Sequence, residues 1–146
     1  MIYSNKTVFE GHKLRHQVAN NIKNIDLFGR GTSNPVNNKE ESLVDYRYSI
    51  VIENSKTDNY FTEKLIDCFA VGTIPIFWGT PNIKNYFNMD GVIVMDSLKD
   101  VNDIVKNCNE EDYKKRLPAI KENMELAKNY ISTYDWIYNN INFKEL

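Results

Sequence analysis

The sequence predicts an α/β domain built on a mostly parallel, Rossmann-like sheet. Short apolar segments alternate with segments whose apolar residues recur at spacings of three and four, which is the strand and helix order of right-handed crossover units. A length of 146 residues with 42% hydrophobic content suits one compact domain. Polar loops follow the predicted strands, and parallel sheets bind ligands at the carboxyl ends of their strands. We therefore treat residues 1–146 as a single domain with its site at these loops.

The first third of the chain is predicted to contain two short strands, a helix and a loop. The strands are expected at Met1–Ser4 and Ile25–Phe28, and a loop rich in Gly, Ser and Asn at Gly29–Asn38. A helix is predicted over residues 11–23, because apolar residues recur there on one face. That face carries Leu14, Val18, Ala19 and Ile22.

The middle of the chain contains the clearest strand and helix. Tyr48–Ile52 is apolar and β-branched, as a central parallel strand would be. Residues 62–71 predict a helix with Thr62 as its N-cap and Gly72 after its last turn. A strand over Thr73–Trp78 follows, and its Pro75 is easiest to accommodate near a strand start or an edge.

The remaining segments predict one more strand and then helices. The strand is expected at Val92–Met95, and helical patterns follow at Val101–Val105, Glu111–Tyr130 and Thr133–Ile141. Pro118 is expected to kink the long helix. The loops Gly29–Asn38, Glu53–Thr62 and Gly79–Asn82 are therefore expected to converge on one crevice.

Charge and composition exclude several classes of function. Eighteen basic residues against 20 acidic ones give a net charge of −2, without the basic excess that nucleic-acid binding needs. No apolar run is long enough to span a bilayer, and the start lacks the pattern of a secretory signal. Cys68 and Cys108 form no metal or disulfide motif. We expect a cytoplasmic protein, with peripheral attachment to a membrane as an open alternative.

The loop after the central strand and the helix that follows it contain the strongest candidate site. Glu63 and Lys64 lie in the first turn of the predicted helix, where unpaired N–H groups, the helix dipole and the lysine favour a phosphate. A carboxylate beside a phosphate suits ribose hydroxyls. The alternative is structural: Glu63 would complement the dipole, Lys64 would be a solvated charge, and Asn54 would cap a turn.

Long segments around these residues resemble a known enzyme family. They are Tyr46–Ser55 with Asp58, Tyr60–Lys64 and Gly72–Gly79, and upstream Tyr3–Lys6, Gly11, Arg15 and Ile25–Gly29. Together they resemble the signature of the α-1,3-fucosyltransferases, glycosyltransferase family ten, over most of residues 1–100. The resemblance implies a GT-B fold of two Rossmann-like domains, of which this chain is similar to the C-terminal, nucleotide-sugar-binding half. We expect the acceptor domain to be absent, and the abrupt first strand at Met1 also indicates a cut.

The resemblance also implies roles for individual residues. Arg15 and Lys64 would contact the diphosphate of GDP-fucose, Glu63 would bind the ribose, and Asn54 and Tyr60 would position the phosphates and the sugar. The transfer to a glycan hydroxyl would invert the sugar's configuration, with a general base from the missing domain. No cofactor is required by this scheme, although stimulation by manganese stays open.

Other interpretations of the chain remain open. It could serve a transferase for another nucleotide sugar, or act as a non-catalytic nucleotide-binding module without its acceptor domain. No replacement general base is evident, since Glu53 is expected to be structural and Asp58 is the other acid near the crevice.

Two weaker features complete the candidate list. His12 and His16 share a helix face at the spacing of two metal ligands, but a third ligand is missing. The C-terminal end is rich in aromatic residues, part of which could form an interdomain contact. These residues are Tyr130, Tyr134, Trp136, Tyr138 and Phe143.

Overall fold

The computed structural model describes residues 1–132. Within them, the chain forms a three-stranded sheet, four α-helices and four short 3₁₀ helices. In chain order the α-helices and strands are α1 (Glu10–Asn21), β1 (Tyr48–Ile52), α2 (Glu63–Ala70), β2 (Ile74–Trp78), β3 (Ile93–Val94), α3 (Leu98–Asn107) and α4 (Glu110–Ala127). The 3₁₀ helices lie at Lys39–Ser42, Ile83–Asn85, Met89–Gly91 and Lys128–Tyr130.

The sheet is parallel, with the strand order β1-β2-β3. Ile50 lies opposite Ile76 in the β1–β2 ladder, and Ile76 lies opposite Ile93 in the β2–β3 ladder. Pro75 belongs to the central strand, but it precedes the residues that pair with β3. The ladder with β3 therefore begins after the residue that lacks an N–H donor.

The two faces of the sheet pack against different helices. Ile50 and Ile52 contribute to a core shared with α1 and α3, where Val18 and Val101 are fully buried. Val51, on the opposite face of β1, belongs to the core formed with α2 and α4. This alternation buries both faces of the sheet, as a parallel α/β architecture requires.

The first two predicted strands do not join this sheet. Ile2 and Phe28 form a single parallel bridge, held by bonds from the Tyr3 N–H to the Phe28 carbonyl (2.7 Å) and from the Phe28 N–H to the Met1 carbonyl (3.0 Å). The prediction of two full strands is therefore wrong for the described structure. At the outer edge of β1, the Arg15 side chain of α1 binds the Ile52 carbonyl, so this acceptor is not available to a further strand.

The helices agree better with their sequence patterns. Thr62 caps α2 by accepting a hydrogen bond from the Lys64 N–H, and Gly72 follows the helix with a φ of +79°. α4 continues through Pro118, and α3 is longer at both ends than the segment predicted from its apolar residues. The predicted helix over residues 133–141 lies outside the described residues. Among residues 1–132, no helix has the length and apolar character needed to cross a membrane.

Candidate functional site

A cavity of about 350 Å³ lies along the outer edge of β1, between the Ile2–Ser4 segment and the first turn of α2. Four of the predicted site residues line it: Arg15, Asn54, Glu63 and Lys64. They come from three separate segments of the chain, so the sheet and its two flanking helices bring them together. A cavity of this size suits a small organic ligand.

The N-terminus of α1 reaches this site because Gly11 allows close backbone contact. The Gly11 N–H donates to the Asn54 carbonyl at 3.0 Å. A Cβ atom at this position would lie 1.7 Å from the Glu53 carbonyl oxygen. The residue without a side chain therefore sets the distance between α1 and the loop after β1.

Arg15 is buried and holds the carboxyl end of β1. Its Nε donates to the Ile52 carbonyl at 3.0 Å, and its Nη2 donates to the same carbonyl and to Asn54 Oδ1 at 2.9 Å. Burial lowers the pKa of the guanidinium, against the opposing charge of Glu53. At the Ile52 carbonyl, the Arg15 guanidinium thus takes the place of the backbone N–H that a neighbouring strand would donate. It also orients the Asn54 amide.

Glu53 is fully buried and forms a cap for α2. Its Oε1 accepts hydrogen bonds from the Thr62 N–H (2.8 Å) and hydroxyl (2.9 Å), and its Oε2 accepts from the Lys64 ammonium (3.1 Å). Both carboxylate oxygens are engaged by the first turn of α2. This geometry agrees with the structural role predicted for Glu53, whereas Asp58 is exposed on the following loop.

Lys64 and Glu63 lie at the mouth of the cavity and are both ion-paired. The Lys64 ammonium contacts Glu53 and lies 3.8 Å from Glu63 Oε1. The Glu63 carboxylate also contacts the Lys39 ammonium at 3.2 Å. Burial acts to raise the pKa of Glu63, but the charges of Lys64 and Lys39 outweigh it and hold the pKa below its usual value.

Tyr60 lies beside this group, in the loop between β1 and α2. Burial and the nearby charges of Glu53 and Glu63 raise the pKa of its hydroxyl, while a bond with the Asn54 side chain acts in the opposite direction. The residue before it, Asn59, has a φ of +62°. Tyr60 therefore neighbours Asn54 without belonging to the lining of the cavity.

Two of the three loops expected at the crevice are joined to each other, but only the Glu53–Thr62 loop, through Asn54, lines the cavity. The Asn59 N–H donates to Asn82 Oδ1 at 3.0 Å, and the Asn82 amide donates back to Asn59 Oδ1 at 2.7 Å. These bonds join the Glu53–Thr62 loop to the Gly79–Asn82 loop. The Gly29–Asn38 loop instead packs against Tyr3 and Asn5, and the residue that follows it, Lys39, lines the cavity.

Both histidines of α1, His12 and His16, form hydrogen bonds with other groups of the protein. His16 accepts from the Tyr3 hydroxyl at Nδ1 (2.8 Å) and donates from Nε2 to the Lys6 carbonyl (3.0 Å). His12 accepts the Phe9 N–H at Nδ1, and burial together with the charge of Arg15 lowers its pKa. Among the described residues, no three His, Cys, Asp or Glu side chains are grouped as a metal site would require.

Two further residues line the same cavity: Lys39, whose charge the sequence predicts to be solvated, and Asp67, which the sequence does not single out. Lys39 bridges Glu63 and Asp67, at 3.2 and 3.4 Å. Glu63 and Asp67 are four residues apart on α2 and therefore share one face. That spacing was visible in the sequence, whereas the approach of Lys39 depends on the tertiary fold.

Tyr130 belongs to an aromatic group at the end of α4. Its ring lies 5.1 Å from that of Phe61 and 5.8 Å from that of Phe87, and it is half-buried. The other aromatic residues proposed for an interdomain contact, Tyr134, Trp136, Tyr138 and Phe143, lie outside the described residues.

The chain is similar to known fucosyltransferases in sequence and in fold. The α-(1,3)-fucosyltransferase FucT of Helicobacter pylori is 32% identical over 116 residues, an alignment that covers 76% of this chain and 23% of that protein. A crystal structure of an α1,3-fucosyltransferase superposes with a TM-score of 0.65 at 25% identity, covering 97% of this chain and 48% of the other. A second, of an α1,3-fucosyltransferase with GDP-fucose, has a TM-score of 0.64 at 22% identity, covering 88% and 45%.

These matches confirm the predicted α/β fold and the resemblance found in the sequence. The chain spans about a quarter of the curated H. pylori relative and about half of the crystallised chains. The model of the family "Glycosyltransferase family 10 (fucosyltransferase) C-term" matches residues 2–136. The chain therefore belongs to glycosyltransferase family 10, the fucosyltransferase family, and corresponds to the C-terminal part of its members.

Proposed function

We propose that this chain binds the nucleotide-sugar donor, GDP-fucose, of a fucosyltransferase. The observation that carries the proposal is the convergence of Arg15, Asn54, Glu63 and Lys64 on one cavity along the outer edge of β1. The family match and the GDP-fucose complex of a protein with the same fold support the choice of donor.

The charges around the cavity suit a nucleoside diphosphate. Lys64 and Arg15 supply positive charge, and the first turn of α2 adds the positive end of its dipole. Glu63 is exposed at the mouth and ionised, so it can accept hydrogen bonds from ribose hydroxyls. Tyr60 and Asn54 lie close to Arg15, where they would position the phosphates and the sugar.

The proposed reaction is a single displacement that inverts the anomeric carbon. The acceptor oxygen forms a bond to this carbon while the bond from the carbon to the β-phosphate oxygen breaks and GDP leaves with the electron pair. A general base takes the proton of the acceptor hydroxyl. Lys64 and Arg15 would stabilise the negative charge that develops on GDP.

The base and the acceptor site belong, in this proposal, to a further domain. Glu53 is unsuited as the base because both its oxygens are engaged and buried. The proposed acceptor is a glycan hydroxyl. We also propose a cytoplasmic location, including the surface of a membrane, because Cys68 and Cys108 are free thiols.

Calorimetric titration of GDP, GDP-fucose and UDP into this chain tests the donor assignment. We expect GDP to bind and UDP to bind more weakly. The substitutions Lys64→Ala and Glu63→Ala should each weaken GDP binding by roughly 10- to 150-fold, because each removes a charge-assisted hydrogen bond of about 1.5–3 kcal/mol. Lys114→Ala removes an exposed lysine of α4 and should leave binding unchanged.

Folding must be separated from binding in these variants, since Lys64 also neutralises Glu53. Urea unfolding of each variant supplies this control. Failure of the folded wild-type chain to bind millimolar GDP would contradict the proposal. Equal affinities for GDP and UDP would instead indicate a transferase for another nucleotide sugar.

A further inference from the structure

The loop between β1 and α2 is held at both of its ends. At its start, the Asn54 side chain accepts a hydrogen bond from Arg15 at 2.9 Å. At its end, the Thr62 N–H and hydroxyl donate to the buried Glu53 carboxylate at 2.8 and 2.9 Å. Tyr60 lies between these two ends, and neither set of bonds includes it. A different contact must therefore fix the backbone on which Tyr60 lies.

A pair of asparagine side chains joins the middle of this loop to the loop after β2. The Asn59 N–H can only donate, so it holds the Asn82 amide with its oxygen towards Asn59, at 3.0 Å. The amide nitrogen of Asn82 then donates to Asn59 Oδ1 at 2.7 Å. Two hydrogen bonds of opposite direction therefore hold the residue directly before Tyr60.

Two hydroxyl groups support the amide oxygens of this asparagine pair. The buried Thr80 donates to Asn82 Oδ1, and Tyr86 donates to Asn59 Oδ1, both at 2.5 Å. Each amide oxygen thus accepts two hydrogen bonds, which matches the two lone pairs of a carbonyl. The pair is therefore fixed from the side of β2 as well as from the loop itself.

The backbone at Asn59 allows its side chain to be removed without strain. Its φ of +62° lies in the left-handed region, which asparagine tolerates and glycine adopts freely. Asn59→Gly therefore keeps the backbone conformation and the bond of the N–H, and removes the two bonds of the side chain. The ion pair of Lys56 with Asp96, in the same part of the loop, is exposed and adds little.

We propose that Asn59 and Asn82 are positioning residues, which act on donor binding by holding the Tyr60 hydroxyl in place. This inference rests on the proposed function, in which Tyr60 helps to position the phosphates and the sugar. The Tyr60 hydroxyl contacts the Asn54 side chain, which Arg15 orients. Loss of the asparagine pair would leave Asn54 held by Arg15 and displace Tyr60 from it.

Calorimetric titration of GDP-fucose tests this role in a double-mutant cycle of Asn59→Gly and Tyr60→Phe. Each single variant should weaken binding by roughly 3- to 10-fold, the loss expected for one neutral hydrogen bond. The double variant should bind no more weakly than Tyr60→Phe alone, because the pair acts through the hydroxyl that Tyr60→Phe removes. A merely loosened fold would weaken binding by the same factor in both backgrounds.

Asn24→Gly is the matched control for the substitution. Within the described residues, Asn24 is the second non-glycine residue with a left-handed backbone, at a φ of +63°. It follows the far end of α1, whereas the near end of this helix reaches the cavity. The same substitution in the same backbone conformation should therefore leave GDP-fucose binding unchanged. Urea unfolding of each variant shows that it is folded.

The outcomes separate this inference from the donor assignment. If the wild type binds GDP-fucose but either single variant binds it equally well, or if the two losses multiply in the double variant, the inference is overturned while donor binding stands. If the folded wild type binds neither GDP nor GDP-fucose at millimolar concentration, both proposals fail together.

Discussion

At the scale of single residues, Glu53 is the most constrained side chain of the site. Its buried carboxylate accepts hydrogen bonds from three donors, which are the Thr62 N–H, the Thr62 hydroxyl and the Lys64 ammonium. Such a group ties the end of β1 to the start of α2, so it determines where Glu63 and Lys64 lie. Its contribution is therefore positional as well as energetic.

The substitution Glu53→Gln should lower the free energy of unfolding by about 2–3 kcal/mol. It removes one partner of an ion pair whose carboxylate is wholly buried, although Lys64 at 28% exposure can regain water. Urea unfolding measures the change. Glu110→Gln, in an exposed pair with Lys114, should cost less than about 1 kcal/mol. Equal losses for the two variants would refute the role assigned to Glu53.

Some residue roles followed from the sequence and others did not. Thr62 and Gly72 were predicted correctly as the cap and the end of α2, because capping depends on local backbone chemistry. The bonds of Arg15 to Ile52 and Asn54 were not predicted, since they join residues far apart in the chain. The same holds for Lys39, whose partners come from a different helix.

At the scale of elements, the site depends on the close approach of α1 to the loop after β1. Gly11 allows this approach because it has no side chain, and Arg15 lies one turn further along the helix. Any change that moves α1 outward will move the guanidinium away from Asn54 as well. The position of this helix thus links the stability of the fold to the geometry of the cavity.

Gly11→Ala should destabilise the chain by about 3 kcal/mol or more. The added Cβ would lie 1.7 Å from a backbone oxygen, so the helix must shift. Gly72→Ala provides the comparison, because its φ of +79° is strained for alanine but its Cβ would make only an ordinary contact with the Tyr113 hydroxyl, at 3.9 Å. We expect a loss of about 1–2 kcal/mol there. Chemical unfolding measures both changes. If Gly11→Ala lowers the free energy of unfolding by less than Gly72→Ala does, the close contact at Gly11 is ruled out.

Strands and helices were predicted best where the apolar pattern of the segment itself indicates how the segment is buried. The β1 and β2 strands and the α2 helix agree with the sequence pattern to within one or two residues, because their apolar residues face buried layers on both sides. The Met1–Ser4 and Ile25–Phe28 segments have the composition of strands but form one bridge. A segment becomes a strand only where a neighbouring strand offers free N–H and C=O groups. At the outer edge of β1, Arg15 already occupies the carbonyl of Ile52.

At the scale of the whole molecule, the parallel sheet separates two apolar cores. Cys68 is fully buried in the core between the sheet and α2, where burial raises the pKa of its thiol from 9.0 to about 12. Below pH 9 the thiol is protonated in both the folded and the unfolded chain. Above pH 9 the unfolded chain releases this proton and the folded chain retains it, so stability falls as the pH rises.

Comparing the wild type with Cys68→Ala isolates this effect. The free energy of unfolding of the wild type should fall, relative to that of the variant, by up to about 1.4 kcal/mol per pH unit above pH 9. Urea unfolding at pH 7.5, 9 and 10.5 in the presence of a reductant measures the difference. A difference that stays constant with pH would show that the folded thiol titrates normally.

The paired charges around the cavity also determine how an anion would reach it. Lys64 is matched by Glu53, and Lys39 by Glu63 and Asp67, so the charges of these two lysines are cancelled within a few ångströms, whereas the buried Arg15 bonds to uncharged groups. Paired charges produce a field that decays faster than that of a lone cation, and physiological salt screens what remains beyond about 8 Å. A dianionic donor would gain little from long-range electrostatic attraction, and its capture would depend on collision with the mouth of the cavity. The rate of association should therefore vary only weakly with ionic strength.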